Sequence, residues 1–289
     1  MSPSHPARVW NLISVCLLLL ALSGCGFGTR YVFYSSRDVQ STPDRAGMAY
    51  EEVWFPSADG VQLHGWYVPA ESPGPLVVFF HGNAANITHR VLNLHYLHNL
   101  GLPVFIFDYR GYGASQGRPL QERDLYRDAQ GALAWLRQRG WSPERMIYFG
   151  RSLGAAVALE MALKQPPAGL VLECPFTSLR DIAWEMTPFT YVLVGWWSID
   201  ARFDNLAKIA RLSRPLLMVH GDRDRVIPHE MSLRLFARAP DPKSLLLVPG
   251  AGHSDAHQVG GDSYRTAWIN FIDRIYKSKF SHNLTGQQP

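Results

Sequence analysis

The chain has 289 residues, enough for one large α/β domain. Hydrophobic residues make up 47%, which supplies a large core and excludes a globally disordered chain. The net charge of +4 is scattered, with no arginine-rich helix or basic stripe, so the sequence gives no basis for nucleic-acid binding.

The first elements are not those of a fold. Arg8 precedes an apolar run, Val9 to Leu22, whose 14 residues fall short of the roughly 20 that a membrane-spanning helix needs. The run ends in Leu22-Ser23-Gly24-Cys25, a quartet that resembles the lipobox of bacterial lipoproteins. The resemblance implies removal of residues 1–24 and lipidation of Cys25, giving firm anchoring through several acyl chains. By the same resemblance to bacterial lipoproteins, Gly26, where an aspartate would signal retention at the inner membrane, favours the outer membrane with the domain facing the periplasm. An ordinary signal peptide with an incidental cysteine, or an uncleaved anchor, stays open. Of three cysteines, Cys16 would leave with the leader and Cys25 would carry lipid. Cys174 is then alone, so no intramolecular disulfide is expected and a buried apolar role fits it. No Cys/His spacing of a metal site is present, and neither metal nor cofactor is expected.

Residues 25–48 are polar and read as a tether, with one short extended piece at Tyr31 to Tyr34. From residue 49 the pattern becomes regular. Glu51 to Phe55 and Val61 to Val68 read as antiparallel strands around Asp59-Gly60. Leu76 to Phe80 and Val104 to Phe107 are continuous apolar strands. Leu125, Ala129, Ala132, Leu133 and Leu136 mark a helix face. Met146 to Phe149 is a strand, and Ala155 to Gln165 a helix. Leu170 to Leu172, Pro215 to Val219 and Ser244 to Val248 complete the strands. Tyr264, Trp268, Phe271, Ile272 and Ile275 mark a final amphipathic helix, and residues 281–289 form a polar tail. Apolar strands alternating with amphipathic helices predict a mostly parallel sheet covered on both faces, over residues 49–280. One long connection, about residues 177–212, carries Trp184, Phe189, Tyr191, Trp196, Trp197 and Phe203 and reads as a small helical cap.

The chemistry-bearing motifs fall at the carboxyl ends of these strands. Gly150-Arg151-Ser152-Leu153-Gly154 sits between a strand and a helix, the arrangement of a nucleophile elbow that presents Ser152. A serine hydroxyl needs a base, and His253, in the flexible Gly250-Ala251-Gly252-His253 loop after the last strand, is the candidate. The base needs a carboxylate, and the loop after the Pro215 to Val219 strand offers Asp222 and Asp224. Asp222 follows the strand's terminal glycine and suits the turn; Asp224 lies farther out and is preferred. Backbone donors for an oxyanion are expected at Leu153, after the nucleophile, and at Asn83 in the loop after Leu76 to Phe80. His81, Asp108, Tyr109, Arg110 and Arg151 read as residues that shape the loops.

Together, His81-Gly82-Asn83, Asp108-Tyr109-Arg110-Gly111-Tyr112-Gly113, the Ser152 pentad, Asp224 and Gly252-His253 resemble the α/β-hydrolase superfamily in order and spacing over about residues 50–277. The wording is most similar to a compact, small-capped branch that includes abhydrolase-domain proteins removing palmitate from protein cysteines. The resemblance implies a metal-free serine hydrolase acting on acyl esters, thioesters or amides, with an acyl-containing small molecule, lipid or acylated protein as substrate. It does not carry over the palmitoyl substrate, which depends on cap and pocket. A serine peptidase or amidase of the same fold, and a non-catalytic envelope interaction protein, are the alternative readings.

Overall fold

The computed structural model describes residues 33–71, 74–186 and 202–285. The leader, Cys25 and the cap residues Phe189, Tyr191, Trp196 and Trp197 lie outside them. No described helix is long and apolar enough to cross a membrane.

Strands β1 (Glu51–Pro56) and β2 (Gln62–Val68) form an antiparallel hairpin, with Glu51 opposite Tyr67 and Pro56 opposite Gln62. Gly60, at φ +89°, takes the turn conformation that a side chain would strain. Next come β3 (Leu76–Phe80), helix α1 (Val91–Asn99), β4 (Val104–Phe107) and α2 (Glu122–Gln138). Then follow β5 (Met146–Arg151), α3 (Leu153–Lys164), β6 (Gly169–Glu173), α4 (Leu179–Met186) and α5 (Asn205–Ile209). The chain finishes with β7 (Leu216–Gly221), α6 (His229–Arg238), β8 (Lys243–Val248), α7 (Ala256–Val259) and α8 (Gly261–Thr285).

The strands make one eight-stranded sheet of order β1-β2-β4-β3-β5-β6-β7-β8, antiparallel at β1, β2 and β4 and parallel from there on. The chain leaves β3 toward β4, then returns to β5 on the other side of β3. A cleft opens at such a reversal, outside the carboxyl ends of the strands.

Strand alternation sends Val78, Phe80, Phe105, Phe107 and Tyr148 into the core under α2, α3 and α6. It sends Val77, Phe79, Val104, Ile106 and Phe149 into the opposite core, under α1 and α8. Trp268 of α8 is fully buried there, edge-on to Phe149 with ring centroids 5.3 Å apart. In the first turn of α2, Asp124 Oδ2 accepts from the amides of Leu120 and Gln121 at 3.0 and 3.1 Å.

Two boundaries differ from the sequence reading. Residues 25–48 read as a tether, and of these residues 33–48 lie against the fold. Phe33 and Met48 are buried, Ser35 bridges Ala85, and Asn86 Nδ2 donates to the carbonyls of Ser36 and Asp38 at 3.1 and 2.8 Å. The local sequence is polar, and the partners that tie its backbone to the fold, Asn83, Ala85, Asn86, Thr88 and Gly113, are all distant in the chain. The polar tail was expected from residue 281, but α8 continues to Thr285, because nothing breaks the helix before Gly286.

Candidate active site

The pentad 150–154 folds as a tight strand-to-helix turn. Ser152 is held at φ +53°, ψ −120°, a conformation unfavourable for a residue with a side chain, and its amide donates to Glu173 O at 2.9 Å. The glycines are dictated by contact. A Cβ on Gly154 would overlap the carbonyl oxygens of Phe80 and His81, and one on Gly150 would overlap the first turn of α3. α3 can press so close because Gly154, Ala155 and Ala158 are the residues where it meets the sheet. Its amino end, with Leu153, therefore points into the cleft beside Ser152.

Asp224 reaches His253 from β7's loop: its Oδ2 stands 2.7 Å from His253 Nδ1. The carboxylate is shut off from solvent, whereas the imidazole is 19% exposed. Oδ1 accepts from the amides of Val226 and Ile227 at 2.8 and 3.0 Å. Despite burial, which alone would raise it, the bonds from His220 and His253 hold the Asp224 pKa far below the usual carboxylate range. His253 Nδ1 faces a carboxylate, so it carries the hydrogen, leaving Nε2 as the basic nitrogen. Asp222 does something else: it is exposed, and its Oδ1 accepts from Gly250 N at 2.6 Å, bracing the loop that carries His253.

The sequence reading gave no part to His220. It is the penultimate residue of β7, fully buried, with Nε2 at 3.1 Å from Asp224 Oδ2 and 2.9 Å from Ile227 O. Both neighbours are acceptors, so Nε2 bears hydrogen and Nδ1 accepts from the Ser232 hydroxyl at 2.6 Å. Asp224 is thus gripped by two imidazoles and two amides. The available signal was a histidine at the end of an apolar strand, directly before the acidic loop. Cys174 Sγ joins His220 and Asp224 within 4.8 Å, a grouping no linear spacing revealed. Burial keeps this thiol well above its ordinary pKa, so it stays protonated and is a poor metal ligand.

Arg151 and Glu173 form a buried pair behind the turn, Nε to Oε1 3.3 Å, with side chains 4% and 0% exposed. Arg151 Nη2 also donates to His253 O at 3.3 Å, and Glu173 Oε2 accepts from the Tyr264 hydroxyl at 2.7 Å. This pair ties the serine turn to the histidine loop. His81 is fully buried against Tyr109, and burial pushes its pKa down to about 4. Arg110 clamps its loop through Asp128 and Asp59.

Ser152, His253, Asn83 and Leu153 all line one cleft of about 720 Å³. Its walls are mainly apolar, from Phe176, Leu179, Ile182, Val226 and Ile227, with Tyr34 of the N-terminal segment at the lip. Asn83 Oδ1 accepts from Tyr34 N at 3.1 Å and the Tyr112 hydroxyl at 2.8 Å, which fixes the loop after β3. Cys25 lies outside the described residues.

Comparison with known proteins agrees with this architecture. A family model described as "Serine aminopeptidase, S33" matches residues 71–202. An uncharacterized protein of Mycobacterium tuberculosis is 38% identical over 238 residues, covering 80% of this chain and 82% of that one. The α/β hydrolase domain-containing protein WAV2 of Arabidopsis thaliana is 33% identical over 270 residues, covering 84% and 85%. The chain belongs to the α/β-hydrolase superfamily. Among solved structures, an esterase of Pyrococcus furiosus superposes with a TM-score of 0.66 at 23% identity, over 83% of this chain and 98% of that one, which is a likeness of fold.

Proposed function

We propose that the protein is a serine hydrolase that cleaves acyl ester or thioester bonds through an acyl-enzyme intermediate. The observation that carries this is the 2.7 Å contact between His253 Nδ1 and a buried Asp224, in a cleft that also holds Ser152 on its strained turn. His253 Nε2 takes the Ser152 proton as Oγ bonds to the acyl carbon. The carbonyl oxygen becomes an oxyanion, for which the amides of Leu153 and Asn83 are the proposed donors. Collapse expels the alcohol or thiol, which receives the proton from His253. Water, deprotonated by His253, then attacks the acyl carbon and frees Ser152. Asp224 stabilises the imidazolium in both halves of the cycle.

The apolar walls favour an acyl chain lying along Leu179 and Ile182 of α4. A long chain such as palmitoyl belongs to this class. A lipid anchor at Cys25 in the outer membrane, facing the periplasm, would place the enzyme among envelope lipids and acylated proteins. A second reading, an aminopeptidase, draws on the description of the matching family model. Such an enzyme needs a carboxylate to hold the peptide ammonium, and the described lining contains none. Hydrolysis of an ester and thioester series of increasing acyl length, with Ser152→Ala as control, tests the proposal. Serine-dependent turnover with a length preference is expected. Turnover of aminoacyl amides alone would favour the peptidase. Failure of a fluorophosphonate to label Ser152 would favour a non-catalytic interaction protein.

A further inference from the structure

The apolar cleft contains one feature that an acyl chain does not explain. Arg90, just ahead of α1, lines the same cleft as Ser152 and His253. Its only hydrogen bond among the described residues runs from Nη2 to Ala84 O at 2.7 Å, and its Nε is buried without a partner. No described carboxylate lies within 4.0 Å to neutralise it. The nearest acids lie beyond that reach: Glu173 pairs with Arg151, and Asp108 accepts from Ile87 N through Oδ1 and faces His64 and His81 at 3.9 and 3.6 Å, its Oδ2 making no hydrogen bond. Burial, reinforced by Arg151, pulls the Arg90 pKa down to about 10, so it keeps its charge at neutral pH. A guanidinium in low dielectric ordinarily has a counter-ion or a full set of acceptors. Holding Ala84 O uses one of its five N–H donors, and the remaining planar fork suits a carboxylate or phosphate.

We propose that Arg90 binds an anionic group of the substrate, so that the preferred substrate is an acyl ester or thioester bearing a carboxylate or phosphate near the scissile bond. This rests on the acyl-hydrolase reading above. The anion would occupy the site beside the loop after β3, opposite the apolar wall, and would set which end of the substrate enters each half of the cleft.

Two measurements on the full-length chain test it. The first compares kcat/KM for mono-p-nitrophenyl glutarate with that for p-nitrophenyl valerate, which has a methyl in place of the terminal carboxylate. The ratio is expected to fall about tenfold in Arg90→Gln and to be partly kept in Arg90→Lys. The second is calorimetric binding of 1-butyrylglycerol 3-phosphate against 1-butyrylglycerol. It uses Ser152→Ala protein with and without Arg90→Gln, so it does not depend on turnover. A preference for either anion that disappears with Arg90 supports the proposal and names the anion. Unchanged ratios in both measurements overturn it. Absence of serine-dependent turnover on every ester would instead overturn the acyl-hydrolase reading, while the calorimetry still decides Arg90.

Discussion

Asp224→Asn is the most searching perturbation of the proposed chemistry. The carboxylate accepts four hydrogen bonds: two from the amides of Val226 and Ile227 to Oδ1, and two from His220 and His253 to Oδ2. Asparagine can keep the first two, with its oxygen in the place of Oδ1. Its NH2 then confronts two ring nitrogens that both carry hydrogen. His253 escapes by moving its hydrogen to Nε2, so that Nδ1 accepts from the amide. In that tautomer Nε2 cannot take the Ser152 proton, and the charge that stabilised the imidazolium is also gone. The expected loss in kcat is about 10³ to 10⁴, or roughly 4 to 5.5 kcal/mol of transition-state stabilisation. The assay is turnover of a p-nitrophenyl ester, with the melting temperature recorded to show that the variant is folded. A folded Asp224→Asn protein within tenfold of wild-type kcat would refute the assignment of Asp224 as the group that orients His253.

Gly154→Ala should fail to accumulate as folded protein, because its Cβ would occupy the space of Phe80 O and His81 O; a near-wild-type melting curve would contradict the close approach of α3 to β3. Arg151→Ala leaves Glu173 buried and unpaired, so a loss of about 3–5 kcal/mol in urea unfolding is expected, together with reduced turnover as the His253 loop loses its tie. His81 has a folded pKa of about 4 against 6.5 unfolded, so the unfolded chain binds more protons between these values. Stability from keeping it neutral is complete above pH 6.5 and falls by about 2–3 kcal/mol by pH 4.5. Urea unfolding at pH 7.5 and pH 4.5 measures this, and His81→Gln should flatten the difference. Ile182→Trp narrows the apolar wall, and long acyl esters should lose kcat/KM more than acetyl esters do; equal losses would remove α4 from the acyl path.

The sheet was legible because its inner strands are buried on both faces and read as unbroken apolar runs, such as Leu76–Phe80 and Val104–Phe107. α1 was not, since Val91–Asn99 mixes Asn93, His95 and His98 with its leucines; Asn93 is buried there, accepting from Arg151, a partner distant in sequence. α6 is obscured for a different reason: only Met231 and Leu235 of its apolar residues are fully buried, and a serine, Ser232, is buried with them to meet His220. The motif residues 83, 152, 153 and 253 meet in one cleft because each lies just beyond a parallel strand or its turn, a placement that strand reading predicts. The sequence alone does not mark out His220 or Arg90, because their significance lies in what surrounds them. One buttresses a carboxylate and the other lacks one, and neither fact is local to the sequence.

The N-terminal segment has a mechanical consequence. Tyr34 at the lip of the cleft and the bridge from Ser35 to Ala85 mean that force on the start of the chain is delivered to the rim of the cleft rather than to a remote surface. Cys25 precedes Phe33 by eight residues, and chain of that length reaches at most about 28 Å when fully extended. An anchor at Cys25 would therefore work as a short leash. It would hold the opening within a small domain's width of the headgroups and turn the search for substrate into diffusion across a plane.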